Sequence, residues 1–158
     1  MKEKIRPNFW RKFPLDELTH AEWEMLCDGC GKCCLIKLEN EETSEVHYTK
    51  VACRLFDDKT CKCGNYAIRQ KLVSTCLILT KDSLKDSFQW MPNSCAYRLL
   101  YEGQELPFWH HLRSGSFDTV HHTGKSVQGT TIPELVFSIT ALSIDMSVHL
   151  PKMSLFIL

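Results

Sequence analysis

Short hydrophobic patterns in the first part of the chain predict a short helix that leads directly into a cysteine-rich turn. Thr19, followed three residues later by Glu22, has the spacing of a capping box, which starts a helix. This helix would carry Trp23 and Leu26 on one side, three positions apart, and would end at Cys27. The glycines that follow favour backbone conformations that other residues resist, so the cysteine run is predicted on a turn or a broken helix.

Two further elements follow from the pattern in the middle of the chain. Residues 46–51 alternate in the way of a short strand, which predicts one arm of a small hairpin. The segment from Cys53 to Cys76 contains turn formers and few residues that could build a core, so metal ligation would explain its order. Residues 96–101 are predicted to form a helix that ends at Gly103.

The last third of the chain is predicted to be mostly loop. Leu106, Phe108 and Trp109 are expected to form an edge of the core. Residues 135–158 are rich in Leu, Ile, Val and Ser and carry two charged residues. A membrane span needs about 20 nearly uninterrupted apolar residues. Polar residues interrupt this tail too often, so we do not expect a membrane anchor.

Length and composition limit the fold and the class of partner. A chain of 158 residues is long enough for one domain with an ordinary core. We therefore expect a small α+β fold, mostly helical and loop-rich, organised as a single domain around a cysteine metal cluster. Lys plus Arg equals Asp plus Glu at 19 each, so no charge excess indicates binding to nucleic acid or a membrane surface. The first 18 residues lack the apolar core of a secretory signal, which predicts a cytoplasmic protein.

Nine cysteines are the strongest chemical signal in the sequence. Cytosolic thiols are kept reduced, and an odd number would leave one thiol unpaired in a complete disulfide framework. Clustered reduced thiols are typical of metal sites. The predicted metal ligands are, first, Cys27, Cys30, Cys33 and Cys34, then Cys53, Cys61, Cys63 and Cys76, and last Cys95.

The first four cysteines can reach one small volume, because three of them are spaced three residues apart and the fourth adjoins the third. Thiolates are soft ligands that suit zinc and iron-sulfur centres. A zinc site of the ribbon type would add a second pair, either Cys61 with Cys63 or Cys53 with Cys76. The first three cysteines also match a bacterial ferredoxin pattern, whose fourth cysteine would here be remote. The sequence leaves zinc, iron and an iron-sulfur cluster open, and Cys76 and Cys95 could instead be buried packing residues.

Other chemistry receives less support. The pairs His110-His111 and His121-His122 lack the i, i+4 spacing of a helical zinc motif, so we expect solvated histidines rather than ligands. The sequence has no phosphate-binding loop, dinucleotide fingerprint or Gly-x-Ser-x-Gly elbow, and we predict no catalytic residue. Three function classes remain, in decreasing order: a metal-binding module without catalysis, an iron-sulfur redox protein, and a thiol switch that releases metal on oxidation.

The segment 26–34, with 51–54, 60–63 and 94–100, resembles the YcgN-like family of uncharacterised bacterial cysteine-cluster proteins. The resemblance extends roughly from residue 8 to 134, and all nine cysteines fit it. It implies membership of a wider group whose suggested role is zinc or iron chelation. We therefore expect a metal-binding domain over residues 1–134. Members of the family continue with a charged tail, so we expect residues 135–158 to be an atypical tail, frame-shifted or disordered.

Overall fold

The computed structural model describes residues 4–136 and the backbone of residues 153–157, and it contains both helices and strands. The predicted combination of helices and strands is therefore confirmed. From its length, the chain was predicted to form one main domain. The structure divides it into two compact units, and each unit consists of two separate segments. Unit 1 comprises Met1–Cys30 and Leu79–Ser126, and unit 2 comprises Gly31–Ile78 and Val127–Leu158. The predicted boundary after residue 134 stays a prediction.

The described helices are short, and most belong to unit 1. The longest has six residues, so side chains of other elements supply much of the packing. The α-helices are α1 (Phe9–Lys12), α2 (His20–Glu24), α3 (Arg69–Leu72), α4 (Leu84–Ser87), α5 (Ala96–Tyr101), α6 (His111–Ser114) and α7 (Thr119–His122). Turns of 3-10 helix cover Leu15–Glu17, Lys32–Cys34, Tyr66–Ile68 and Phe88–Trp90.

The strands belong to unit 2 and form two sheets. They are β1 (Leu35–Asn40), β2 (Val46–Ala52), β3 (Phe56–Asp57), β4 (Lys62–Cys63), β5 (Ile132–Pro133) and β6 (Met153–Ile157). The larger sheet has the order β5-β2-β1-β6, and β3 pairs with β4 in a separate hairpin. Strand β1 is antiparallel to both β2 and β6, whereas β5 is parallel to β2.

The core of unit 1 fixes the helix that precedes the cysteine run. The predicted capping box of α2 is confirmed, since the Thr19 and Glu22 side chains bond reciprocally with each other's backbone amides. Trp23 packs against Tyr97 of α5 with ring centroids 4.9 Å apart, and the Tyr97 hydroxyl donates to the Trp23 carbonyl at 2.8 Å. Leu26 is fully buried. The predicted apolar side of α2 is thus confirmed, and the chain leaves the core at Cys27.

A buried ion pair holds the N-terminal segment to α2. The Glu22 carboxylate is fully buried and accepts hydrogen bonds from the Arg6 side chain, at 2.8 Å from Nε and 2.6 Å from Nη2. It also accepts a bond from the Arg6 backbone amide. Hydrogen bonding to Arg6 lowers the pKa of Glu22 to about 2, although burial opposes the shift. Glu22 is therefore ionised at any pH near neutrality.

The pairing of β1 with β2 is irregular at the end that adjoins the cysteines. Leu35 pairs with Ala52, but the next register pair is Lys37 with Tyr48, so one residue of β1 faces three residues of β2. The Thr49 hydroxyl fills the gap, because it donates to the Ile36 carbonyl at 2.8 Å and accepts from the Val51 amide at 3.1 Å. The predicted hairpin arm over 46–51 is confirmed as β2.

Three sequence expectations differ from the structure or lie outside it. The segment after Leu106, predicted as loop, contains α6 and α7, which are too short to give a helical period. Phe108 is 65 % exposed and does not line the core. Within residues 4–136 and 153–157, no helix has the length and apolar character that a membrane crossing requires. Most of the predicted atypical tail, 137–152 and 158, lies outside the described residues, so its altered reading frame stays a prediction.

Candidate metal centre

The cysteine run adopts the turn that its sequence predicted. Gly29 and Gly31 both have positive φ, at 74° and 76°. Between them, the Cys30 amide donates to the Asp28 side chain at 3.0 Å, which forms a local turn of the kind Asp favours. The Cys34 amide then bonds to the Gly31 carbonyl at 3.1 Å within the 3-10 turn. The run is therefore a sequence of tight turns, and the boundary between the two units follows Cys30.

The predicted ligands divide between the two units. Unit 1 contains three of them: Cys27, Cys30 and Cys95. Unit 2 contains the other six: Cys33, Cys34, Cys53, Cys61, Cys63 and Cys76. The six cysteines of unit 2 come from four places in the sequence, and the fold of that unit brings these places together.

The ends of β1 and β2 place Cys34 next to Cys53. The Cys53 amide donates to the Cys34 carbonyl at 2.9 Å, one step beyond the last register pair of the two strands. Cys53 is buried, and its sulfur accepts from the Leu55 amide at 3.5 Å. The hairpin thus fixes two cysteines that lie 19 positions apart in the sequence.

The β3–β4 hairpin supplies Cys61 and Cys63. The Phe56 amide bonds to the Cys53 carbonyl at 2.9 Å, so this hairpin begins beside the end of β2. Phe56 then pairs with Cys63. The Asp57 carboxylate accepts from the Lys59 amide and the Thr60 hydroxyl, which sets the turn. Cys61 closes the turn with a φ of 56°, a left-handed conformation that is unusual for a residue with a side chain.

Gly31 lies against the sulfur of Cys61. A Cβ atom added at Gly31 would stand 2.6 Å from Cys61 Sγ, 2.8 Å from Phe56 Cζ and 2.9 Å from Val127 Cγ2. Separations this short do not occur for real side chains. The start of the Lys32–Cys34 turn can therefore approach the β3–β4 hairpin only because residue 31 has no side chain.

Cys76 follows α3 and completes the group in unit 2. Its amide bonds to the Val73 carbonyl at 2.9 Å. The Arg54 guanidinium donates to the Leu72 carbonyl at the end of α3, and the Arg54 amide donates to the Glu134 carboxylate at 3.1 Å. Arg54 therefore connects the segment after Cys53 with the segment before Cys76.

Three of these thiols, Cys34, Cys53 and Cys76, have a pKa that neighbouring thiols raise. A hydrogen bond with Cys33, followed by burial, raises the pKa of the Cys34 thiol far above its ordinary value, and the charges of Cys53 and Cys63 act in the same direction. Burial is the main cause of the raised pKa of Cys76, to which Cys53, Cys63 and Cys33 add. Burial likewise raises the pKa of Cys53, with a contribution from Cys63. These couplings define a thiol group in unit 2: Cys33, Cys34, Cys53, Cys63 and Cys76.

Lys37 is a charged residue buried beside this thiol group. Its side chain is fully buried, and its ammonium donates to the carbonyls of Cys33 at 2.9 Å and Leu35 at 2.8 Å. The same nitrogen lies 5.2 Å from the centre of the Tyr48 ring. Lys32 and Lys37 both lie close to the cysteines in the sequence, which suggests that they offset charge, but the burial of Lys37 was not predicted.

The cysteines of unit 1 have different surroundings. Cys27 is exposed directly after the core residue Leu26. Cys95 is half-buried at the start of α5, and its sulfur lies 4.0 Å from the sulfur of Met91. That contact fits the alternative of a packing residue for Cys95. The roles predicted for Cys27, Cys30 and Cys95 as ligands stay predictions.

Two histidines hold the chain just before the cysteine run. His110 is fully buried, and its Nε2 lies 2.9 Å from the Leu26 carbonyl, while its Nδ1 accepts from the Leu112 amide at 3.1 Å. His110 therefore carries its proton on Nε2. His111 Nε2 lies 2.9 Å from the Met25 carbonyl. The expectation that these two histidines are solvated is wrong, because their short helix packs inward and the carbonyls at the end of α2 need donors.

The donor atoms of the thiol group suit zinc and iron. Thiols are the soft donors that both metals accept in proteins. Among the residues that the structure describes, however, no group of three or more His, Cys, Asp or Glu side chains is arranged to hold a metal ion. The chemistry of the thiol group fits a thiophilic metal, whereas the side-chain positions alone do not define a coordination sphere.

Comparison with known proteins gives the family. A family model named CxxCxxCC and described as "Putative zinc- or iron-chelating domain" matches residues 26–96. A UPF0260 protein of Rhodobacter capsulatus is 57 % identical over 134 residues, covering 85 % of this chain and 89 % of the relative. For a UPF0260 protein of Pseudomonas fluorescens the identity is 50 %, with the same coverage. No solved structure matches the chain. From its identity with these relatives over most of both sequences, the chain belongs to the UPF0260 family.

Proposed function

We propose that this chain is a metal-binding protein and that the thiol group of unit 2 supplies its principal ligands. The observation that carries the proposal is the convergence of Cys33, Cys34, Cys53 and Cys63, with Cys76, from four separate segments. Several thiols that converge from separate segments are more typical of a metal site than of ordinary core packing. The matched family description, which concerns zinc or iron chelation, supports the same function.

A bound metal ion would stabilise the ionised form of these thiols. Neighbouring thiols disfavour one another's ionised forms, and a bound cation reverses that effect while it releases protons. When bound, zinc or iron would supply the positive charge that holds the deprotonated thiols together. The chain itself supplies Cys34 and Cys53 on a hydrogen-bonded strand pair, which gives the site one rigid side. The ligand roles of Cys27, Cys30 and Cys61 are proposed from the sequence motif alone, whereas Cys95, which contacts Met91, is assigned to packing.

An iron-sulfur centre is the second candidate, and the all-cysteine composition of the thiol group supports it, because cysteine thiolates hold such clusters. A structural zinc ion and an iron-sulfur cluster both take four protein ligands, so the six cysteines of unit 2 are enough for either. The proposal places the protein in the cytoplasm, where thiols stay reduced. Under this proposal, the YcgN-like proteins that the sequence resembles belong to the UPF0260 family.

Elemental analysis and an ultraviolet-visible spectrum of protein purified without oxygen test this function. We expect a stoichiometric thiophilic metal in wild type and its loss in a Cys34→Ser, Cys53→Ser double variant. Zinc with a colourless spectrum would identify the first candidate. Iron with labile sulfide and broad visible absorption would identify the second.

Cys95→Ser is the matched control, because Cys95 belongs to unit 1 and contacts Met91. This variant should retain the metal content of wild type. Wild-type protein that holds neither zinc nor iron, with all its thiols reactive towards a thiol reagent, would contradict the proposal.

A further inference from the structure

Lys37 occupies an environment that is costly for an ammonium group. Its side chain is fully buried, and a buried charge requires compensation by hydrogen bonds and opposite charge. The carbonyls of Cys33 and Leu35 accept two hydrogen bonds from Nζ, at 2.9 and 2.8 Å. Both carbonyls belong to the segment that carries Cys33 and Cys34, so the charge of Lys37 lies at the thiol group.

We infer that Lys37 is a positioning and charge-compensating residue of the metal site, where it fixes the turn of Cys33 and offsets the negative charge of the thiolates. The inference rests on the proposed metal-binding function and deepens it. Because the carbonyl oxygen and the sulfur of Cys33 share one Cα atom, the ammonium lies within about 8 Å of that sulfur. Lys37 is buried and Cys33 is exposed, so solvent screens the interaction at this sulfur only in part.

The irregular pairing of the hairpin explains why Lys37 points inward. Leu35, Ile36 and Lys37 are buried in succession, whereas a regular strand would expose alternate residues. The register between β1 and β2 shifts between Leu35 and Lys37. Irregularities of this kind re-aim side chains, and they are common beside functional sites. The Thr49 hydroxyl stabilises the irregularity through its bonds to Ile36 and Val51.

A thiolate-rich site has a specific need for such a cation. A divalent metal bound by four thiolates leaves a net charge of about −2 in a partly buried place. One fixed positive charge halves that excess without occupying a coordination position. Removal of a group that orients or supports metal ligands typically weakens metal binding by about 10- to 100-fold.

Cobalt(II) titration of anaerobic apoprotein, with a competing chelator, tests the inference through affinity and spectrum. Lys37→Gln keeps hydrogen-bond donors but removes the charge. It should bind cobalt about 10- to 100-fold more weakly than wild type. Its thiolate-to-cobalt charge-transfer band should move to longer wavelength, because thiolate electrons are held less tightly without the ammonium. A purely structural role would not move this band. Lys37→Arg, which keeps the charge, should restore both readouts.

The matched control is Lys32→Gln, which removes the same charge from a half-buried position next to Cys33. Its affinity and band should remain close to wild type. A folded Lys37→Gln with wild-type affinity and an unmoved band would overturn the inference while leaving the metal-binding function intact. If circular dichroism shows that Lys37→Gln does not fold, Lys37→Arg provides the test. A folded Lys37→Arg that binds cobalt as weakly as a cysteine variant would also overturn the inference. Wild-type protein that binds no cobalt would overturn the proposed function and this inference together.

Discussion

Gly31 accepts no side chain without displacing its neighbours, because its φ is positive and the sulfur of Cys61 lies against it. Gly31→Ala should lower the free energy of unfolding of unit 2 by roughly 2 kcal/mol or more, the sum of left-handed strain and overpacking. Guanidinium-induced loss of far-ultraviolet circular dichroism would measure the change.

Gly29→Ala is the control for backbone strain alone. Gly29 has nearly the same φ, but an added Cβ atom there would meet nothing within 4 Å. Its cost should be about 1 kcal/mol. Equal losses in the free energy of unfolding in the two variants would show that the contact between Gly31 and Cys61 does not exclude a side chain at residue 31.

The Glu22 carboxylate makes the stability of unit 1 dependent on pH in the acid range. Its pKa is lowered from 4.5 to about 2 by Arg6, so the folded state binds a proton less readily than the unfolded state. The stabilisation is complete above pH 4.5 and is lost as the pH falls through about 2. Glu22→Gln should reduce this acid dependence and should cost roughly 2 kcal/mol at pH 7, because Arg6 loses its charged partner.

Urea unfolding followed by tryptophan fluorescence between pH 2 and 7 would measure both effects. Glu24→Gln provides the control, because Glu24 is an exposed residue of the same helix. It should leave the acid dependence of wild type unchanged. A Glu22→Gln variant with an unaltered pH profile would contradict the assignment to Glu22.

At the scale of elements, the β1–β2 hairpin depends on one hydroxyl at its irregular position. Thr49→Val keeps the shape of the side chain but leaves the Ile36 carbonyl and the Val51 amide without the Thr49 hydroxyl. We expect a loss of about 1 to 2 kcal/mol in the free energy of unfolding. Amide hydrogen exchange at Val51 should accelerate by the corresponding factor.

Thr43→Val in the exposed turn of the same hairpin is the comparison. Thr43 accepts one long bond, at 3.4 Å from the Glu45 amide. Its replacement should change stability by less than about 0.5 kcal/mol. If Thr49→Val were equally mild, the irregular pairing would not rely on the hydroxyl.

Local signals predicted some elements well and missed others for physical reasons. The capping box of α2 and the helix α5 depend on neighbouring residues, so their sequence patterns were sufficient. Strand β1 was missed, because three consecutive buried residues at its start, including Lys37, conceal the alternation that marks a strand. Helices α6 and α7 have four residues each, fewer than a periodic pattern needs.

At the scale of the whole molecule, metal removal should affect the two units unequally. The thiol group belongs to unit 2, and under the proposed function its metal would stabilise the segment from Cys53 to Cys76, which has few buried apolar residues. Chelation should therefore accelerate amide exchange in unit 2 by at least about tenfold more than in unit 1. Exchange followed by mass spectrometry of peptides 31–78 and 79–126 would compare the units. Equal acceleration in both would contradict a site held mainly by unit 2.

The candidate site could be predicted from sequence in its chemistry but not in its grouping. Cysteine density alone indicated metal ligation. The pairing of Cys34 with Cys53 depends on strand register, and the approach of Gly31 to Cys61 depends on tertiary packing, which sequence spacing does not record. The histidines were misjudged for the same reason, since the partners of His110 and His111 lie 84 and 86 positions away.

The positions of the tryptophans determine whether fluorescence experiments report on the thiol group. The sequence has four tryptophans, at positions 10, 23, 90 and 109, and all of them belong to unit 1. Intrinsic tryptophan emission consequently reports the unit that lacks the thiol group. A fluorescence melt could look wild-type while the β1–β2 hairpin has already come apart. A tryptophan introduced at Tyr48, beside Lys37, would give unit 2 an optical signal of its own.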